Sequence, residues 1–395
     1  MAFLDYPGLR HFKEHCDEAY LQVLPQTWGG VRKVLALKHG PTLFPIGTQI
    51  YDKWSKTIGG TEYNVPWDVV HHDTVNDSMY LNWHYCLPDV IQFDAPEAIY
   101  YADSNGLAAG TYHIDIGSTY GDGWSTSKSI QFTLANALEE GDQIFLDCGT
   151  SNANDPTAGR SIKVFAKGST TAKESTTSSN GTGGTSLGTI GATSAQKPEG
   201  QLNAISRVVY GSGRWSQSAI RQYLNSSAAA GSWWEPQNDW DRPPSQHTSL
   251  PGFLAGVSED FLENLEATEI VTALNTVEGY TDTSETTMDK IFLPSLQEWY
   301  FNPQLANVEG VDWEYYKELA EDAGLAGRIP TGTAYDWFKK YRIDAQTSSA
   351  TAWLRSATRG SATSAWHVTS SGAVGNDAAC DAIRGCPACI IKKSV

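Results

Sequence analysis

Cys386-Pro-Ala-Cys389 sets two thiols at the spacing of a dithiol couple or of half a zinc knuckle. A closed zinc site needs four ligands in a tetrahedron, and only Cys380 lies nearby. The 6 cysteines, at 16, 86, 148, 380, 386 and 389, are also too few and too scattered to staple a chain of 395 residues. His71-His72-Asp73 gathers three metal-binding side chains, but neighbours on a strand point to opposite faces, so a shared ion is awkward and a polar strand end is the simpler reading. No Gly-x-Ser-x-Gly elbow, His-Glu-x-x-His helix, phosphate loop or dinucleotide fingerprint occurs. With 45 Asp and Glu some carboxylate pair can always be found, which makes such a pair uninformative. The residue types favour recognition over catalysis, with no enzyme activity, no metal and no cofactor expected.

The stretch that can carry recognition runs from Thr347 to Ile391. It holds no Lys, Glu, Gln or Met, although all four occur upstream. Two kinds of position are interleaved in it. Trp353, Leu354, Trp366, Val368, Val374, Pro387 and Ile390 have the character of scaffold: Ala365 to Thr369 alternates at the two-residue period of a half-buried strand, and Pro387 to Ile391 is a closing apolar run. The other kind is interchangeable: Thr358, Ser361, Ser364, His367, Thr369, Ala373, Gly375, Asn376, Asp377, Ala378, Cys380, Asp381 and Ile383. Each of these has a codon ending in a pyrimidine with any bases before it. Each can therefore descend from an Asn codon whose adenines were randomised, a process that never yields Lys, Glu, Gln, Met or Trp. A plain Ser/Thr/Gly-rich surface strand and loop is the bland alternative.

The Ala352-Trp-Leu-Arg-Ser356 opening, the strand around Trp366, the Ser370-Ser-Gly-Ala-Val374 turn and the closing Arg384-Gly-Cys-Pro-Ala-Cys-Ile-Ile391 resemble the variable proteins of diversity-generating retroelements. In those proteins a reverse transcriptase rewrites the end of a C-type-lectin-like domain by adenine mutagenesis. Upstream, Ala219 to Ser226 (AIRQYLNS), Gly252 to Leu254 and Asp289 to Tyr300 (DKIFLPSLQEWY) resemble the lectin-like domain of many prophage-borne proteins. The likeness covers roughly the second half of the chain and a short piece near residue 65. It implies an α+β and β fold: a C-type-lectin-like domain in which two helices frame a small twisted sheet with long loops. It implies a phage or prophage tail protein that binds a host-cell surface protein or glycan through the interchangeable residues, alongside other tail proteins and as a homotrimer.

Two further members of that fold bear on chemistry. Glu235-Pro-Gln-Asn238-Asp239 is similar to the Glu-Pro-Asn triplet of calcium lectins, but the extra Gln breaks the triplet and it stands near the early helix rather than in the long loop. Enzymes that oxidise a sulfatase cysteine to formylglycine share the fold and need a matched cysteine pair, whereas Cys380 here is among the interchangeable positions.

The elements that must hold this face follow from the rest of the chain. Residues 2 to 24 form an amphipathic helix, with Leu9, Phe12, Cys16, Ala19 and Val23 on a coiled-coil seam, and the FLDYPGLRHF opening resembles phage tail proteins that attach by this segment. The domains expected are residues 1–40 for trimerisation and attachment, 41–93 for the first part of the lectin-like domain, 94–195 for an inserted β-sandwich or jelly roll, and 196–395 for the remainder, with its variable region at 347–391. Within the insert, GTYHIDI, SIQFTL, DQIFLDC and RSIKVFA read as strands and Gly121-Asp122-Gly123 as a loop tip, while the Gly/Ser/Thr-rich 168 to 197 reads as linker plus an edge strand at TSLGTIG. Residues 204–215 suggest a strand and turn, Ser218 to Ala229 a capped helix and Ser258 to Leu265 a second one.

A net charge of -17 argues against nucleic acid and against anionic membranes, both of which draw on clustered Lys and Arg. No apolar run is long enough to insert in a bilayer and no secretion signal opens the chain, so a cytoplasmically made virion component, released by lysis, is expected. The rival expectation gives recognition to the inserted β-domain as a carbohydrate-binding module on a structural tail protein.

Overall fold

A computed structural model describes residues 27–57, 59–116, 128–147, 159–190, 210–275, 284–302, 309–361 and 363–394. The expected helix over 2–24 with its attachment and trimer role, the loop tip at 121–123, residues 191–197 of the linker, most of the strand at 204–209, Cys16 and Cys148 lie outside them.

The chain is mostly sheet, with 15% helix and 38% strand. Helix α1 (Trp28–Ala36) begins where Thr27 Oγ1 accepts from Gly30 N at 3.0 Å. Its spacing puts Trp28, Val31, Val34 and Leu35 on one buried stripe, and Trp28 meets Phe261 edge-on at 4.8 Å. These residues sit in the largest core, so the segment expected to end at residue 40 gives up at least its last turns to that core.

The strands β1 (Gln49–Ser55), β2 (Glu62–Asp73) and β3 (Ser78–Trp83) form an antiparallel meander, and β4 (Ile91–Gln92) follows. The chain then runs through β5 (Tyr100–Tyr101), β6 (Gly110–Ile116), β7 (Lys128–Leu134), β8 (Gln143–Asp147), β9 (Ser161–Phe165), β10 (Ala172–Thr177), β11 (Ser179–Asn180) and β12 (Thr185–Ile190). These make two four-stranded sheets, β10-β9-β8-β5 and β11-β7-β6-β12, with β12, from the TSLGTIG stretch, at an edge. Inward residues of both, among them Ile114, Ile130, Phe132, Ile144, Leu146, Ile162 and Val164, share one core.

After this excursion come α2 (Ala219–Leu224), α3 (Glu259–Asn264), the hairpin β13 (Thr268–Ala273) and β14 (Ser284–Asp289), α4 (Glu314–Asp322), and the hairpin β15 (Lys340–Arg342) and β16 (Ala345–Ala350). Ser218 and Ser258 cap their helices as expected, Ser218 Oγ accepting from Arg221 N at 3.3 Å and Ser258 Oγ from Phe261 N at 3.1 Å. The first helix stops at Leu224 rather than Ala229. Asn225 ends it by turning its amide to Ile291 O (2.8 Å) and accepting from Lys290 N (2.7 Å), which ties the helix end to the next segment. The helix Glu314–Asp322 was not expected; Tyr316 and Ala320 are its buried residues, and Tyr315 and Leu319 pack beside them on the core.

The tail supplies β17 (Ala352–Ala357), β18 (Ser364–Val368), β19 (Val374–Ala378), β20 (Ala382–Gly385) and β21 (Ala388–Lys392). A five-stranded sheet runs β19-β18-β17-β20-β4, and β21 completes the order β1-β2-β3-β21 by pairing Ala388 with Asn82 and Lys392 with Ser78. One continuous core takes in residues from Trp28 to Phe93 and from Trp215 to Ile391, so early and late strands share it while the β5 to β12 unit keeps its own.

The Glu235–Arg242 loop is the seam between the two. Gln143 Nε2 donates to Asp239 O and Asp241 O, both at 2.8 Å, Lys167 pairs with Asp239 at 2.6 Å, and the Arg242 guanidinium lies 4.9 and 4.6 Å from the Phe145 and Phe165 rings. Asp241 turns its carboxylate back to Gln237 N and Asn238 N. The segment weighed as a calcium loop is thus engaged in joining two cores.

Candidate recognition face

Two buried ionic clamps account for the motifs that drew attention upstream. Arg355 and Glu298 are both almost fully buried and meet fork to fork, Nη2 donating to Glu298 Oε1 at 2.8 Å and Nη1 to Oε2. Arg355 also donates to Leu293 O (2.7 Å) and Thr272 Oγ1 (3.1 Å), which binds β17 to the Asp289–Tyr300 stretch and to β13. Glu309 completes the cluster, accepting from Ser356 Oγ at 2.6 Å and Ala273 N at 3.1 Å. Burial pushes its carboxyl above the usual range, with Ser356 and Arg355 opposing. In the second clamp Asp289 accepts from Arg221 Nε (2.6 Å), Thr287 Oγ1 (2.6 Å) and Trp215 Nε1 (2.9 Å). Arg221 belongs to AIRQYLNS and Asp289 opens DKIFLPSLQEWY, so the two motifs are two sides of one contact.

These clamps fix the floor on which the tail lies. Trp353, Leu354, Trp366, Val368, Val374, Pro387 and Ile390 are all buried. The β18–β19 hairpin pairs Ser364 with Ala378, Ala365 with Asp377, His367 with Gly375 and Val368 with Val374. Its turn needs Gly372: φ is +84°, Gly372 N donates to Thr369 O at 2.9 Å, and a Cβ there would stand 2.1 Å from Tyr335 O. Thr358 N donates to Ser364 O at 2.9 Å and Ser361 Oγ to Ser364 Oγ at 3.1 Å, so the loop before β18 folds onto the same end of the hairpin.

Among the interchangeable residues, Asn376 is exposed, and Thr358, Ser361, Ser364, Thr369, Ala373, Gly375, Asp377, Ala378, Cys380 and Asp381 are half-buried. Two depart from the expectation that all project to solvent. His367 is 5% exposed, packed 6.0 Å from the Trp353 ring and over Gly375, where a Cβ would lie 2.9 Å from His367 Nε2. Ile383 is 8% exposed and pairs with Ile91 of β4, across β17 from the hairpin. Both faces of β18 are buried from Ala365 to Val368, and β20 is a central strand, so both side chains are covered. A side chain at 375 requires His367 to move, so these two positions are sterically linked.

His367 Nδ1 is buried without a hydrogen bond, 3.5 Å from Asp377 Oδ2. Burial lowers this imidazole below its ordinary 6.5, with Asp377 opposing. The unfolded chain then takes up the proton first, so the contribution is complete above pH 6.5 and is lost as pH falls from there toward the folded value. His367→Gln is expected to flatten the melting temperature below pH 6.5. An unchanged profile would assign the acid sensitivity to His71 and His247, which burial also lowers. Asp381 is pushed up by burial and by Asp377.

The sequence reading missed an aromatic pair at the hairpin turn. Tyr335 and Trp337 are half-buried with rings 5.3 Å apart, and Tyr335 N donates to Gly372 O at 3.3 Å. A Gly/Thr-rich run carrying aromatics, TGTAYDWF, was the signal available. Exposed Ser370 and Ser371 at the turn were also left out of the set.

Other candidate chemistry is accounted for structurally. His72 Nε2 contacts Phe44 O at 2.7 Å, Asp73 holds the turn through Val75 N and Asn76 N at 3.0 Å, and His71 stands apart, 3.7 Å from Glu314. Cys386 and Cys389 are fully buried, Cys386 Sγ contacting Trp83 O at 3.1 Å, and burial raises the Cys389 thiol. Among the described residues no cluster of three His, Cys, Asp or Glu could hold a metal ion. Large exposed apolar side chains among them are Leu37, Tyr51, Val75, Met288 and Val311, none of which lies between β5 and β12. A groove of about 600 Å³ lined by Asp73, Glu266, Glu269, Met288, Lys392 and Lys393 shares no residue with the interchangeable set. No described helix is long and apolar enough to cross a membrane.

Residues 199–393 match a family described as Domain of unknown function (DUF6273). No curated protein and no solved structure matches the chain. The matched span contains both clamps and the whole tail, whereas β3 and β4, which pair with β21 and β20, lie outside it.

Proposed function

We propose that this protein is a phage or prophage tail receptor-binding protein of the diversity-generating retroelement kind. It holds a host-cell surface ligand on a C-type-lectin-like face whose side chains are rewritten by adenine mutagenesis. The lectin-like domain is discontinuous, with an inserted β-sandwich, and the variable region caps it at 347–391.

One observation carries this reading. The scaffold residues of the tail are buried, whereas the interchangeable residues, His367 and Ile383 excepted, lie half-buried or exposed on one hairpin and its flanking loops. The side chains present are short and polar, so each face binds through hydrogen bonds and shape, with Tyr335 and Trp337 as nearby aromatic anchors. Assembly as a homotrimer through residues 2–24, on a particle beside other tail proteins, adds avidity, since a tethered second contact is intramolecular.

The test is to sequence the coding locus and its flanks from many cells of the source population. Variation confined to the codons for Thr358 through Ile383, with a near-copy carrying Asn codons beside a reverse-transcriptase gene, is expected. An invariant segment without such a copy would remove the diversification and leave an ordinary tail surface.

A further inference from the structure

The proposed binding face ends, among the described residues, in a strand with one side unpaired. Among the described residues β19 heads the order β19-β18-β17-β20-β4 and hydrogen-bonds only to β18. In an antiparallel ladder alternate residues turn both backbone groups to the partner, and those between turn both away. The phase is set by Thr369 N donating to Ala373 O and Ala379 N donating to Thr363 O, each at 2.7 Å. In the register Ala365↔Asp377 and His367↔Gly375, Gly375 and Asp377 therefore serve β18, while Val374, Asn376 and Ala378 present their N–H and C=O groups to the open side. Of those, Ala378 O is taken by Asp381 N at 2.9 Å.

Natural edges are usually blunted by Lys, Pro or a bulge. Val374–Ala378 has none of these: it reads VGNDA and its pairing to β18 runs without a register shift. Gly375 and Asp377 project on one face, two residues apart, so a strand laid along β19 would place alternate side chains opposite them, with Cβ atoms about 4.5–5.5 Å away. Asp377 has 44% of its side chain exposed. The exposed Asp377 carboxylate beside these backbone groups selects the occupant by charge.

We infer that β19 is a docking edge for an extended polypeptide segment of the target, which adds as a further strand, with a basic side chain opposite Asp377. Sequence-independent affinity comes from the backbone of Val374, Asn376 and Ala378, and selectivity from the interchangeable side chains around it. The inference rests on the proposed binding role of this face and names its partner as protein.

The experiment is selection of a random heptapeptide display library on the whole protein, with Asn376→Pro and Asp377→Asn as comparison variants and a glycan array run in parallel. Pro is tolerated on an edge where its missing N–H faces outward, so Asn376→Pro removes one docking donor and leaves the β18–β19 ladder intact, which its melting temperature verifies. Expected are β-branched peptides carrying Lys or Arg, bound about tenfold more weakly by Asn376→Pro and without the basic preference by Asp377→Asn. Enriched peptides that bind Asn376→Pro as well as the native protein would overturn the inference. So would self-association that Asn376→Pro abolishes, which assigns the edge to a second copy of the chain. If only a glycan binds and Asp377→Asn abolishes it, the edge inference fails and the binding face stands. If neither library yields a ligand sensitive to these substitutions, both fall.

Discussion

Arg355→Met is expected to lower the unfolding free energy by about 3–5 kcal/mol, as removal of one partner from a buried ion pair does. Methionine keeps much of the arginine's length and removes its charge, stranding Glu298 with no cation and taking from Leu293 O and Thr272 Oγ1 their donors. Glu309, already raised by burial, loses an opposing charge as well. The expected readout is a urea midpoint shifted down with little change in slope, since a domain of ordinary stability has only about 5–15 kcal/mol to lose. The double variant Arg355→Met with Glu298→Gln should recover part of the loss, because the stranded charge goes with it. A shift under about 1 kcal/mol would mean that this clamp is not what holds β17 to its floor.

A composite variant should separate binding from folding just as sharply. Thr358, Ser361, Ser364, Thr369, Ala373, Asn376, Asp377, Ala378, Cys380 and Asp381 would be exchanged for other residues of similar size from the same codon class, leaving the His367–Gly375 pair and Ile383 untouched. Half-exposed substitutions of this kind usually fall within about 0.5 kcal/mol each, so the melting temperature should move by a few degrees. Affinity for the peptide or glycan selected on the native protein should fall by about thirtyfold or more, corresponding to loss of at least one dominant contact of about 2 kcal/mol. Unfolding of the composite would count against a division into scaffold and surface. Retained affinity would move the binding site elsewhere.

The sequence made the tail legible because composition and period spoke together there. The alternation Ala365 to Thr369 is β18, the apolar run closing at Ile391 is β21, and the short strands of the second core fall where alternation put them. The clamps stayed hidden because hydrophobic pattern carries no information about which charges are buried together: Arg355, Glu298 and Asp289 look like surface residues until the strands are assembled. His367 was misjudged for a related reason. Codon class says what a position can become, whereas packing against both faces of β18 decides that His367 is covered. Tyr335 and Trp337 join the hairpin only through the backbone contact at Gly372, a pairing over distance that no local window contains.

The pairing of β21 with β3 also sets an order of events during synthesis. Asn82 and Cys386, which touch across that pair, are 304 residues apart. At ordinary elongation speeds β3 waits on the order of tens of seconds for its partner, while the β5 to β12 unit can collect its own core in the interval. Through that time Met79 to Trp83 lie along an unfilled apolar edge, a template for the wrong strand. Nascent chains of this protein should therefore lean on holding chaperones until the tail emerges, and any change that slows translation between the two cores would cost yield without altering the finished fold.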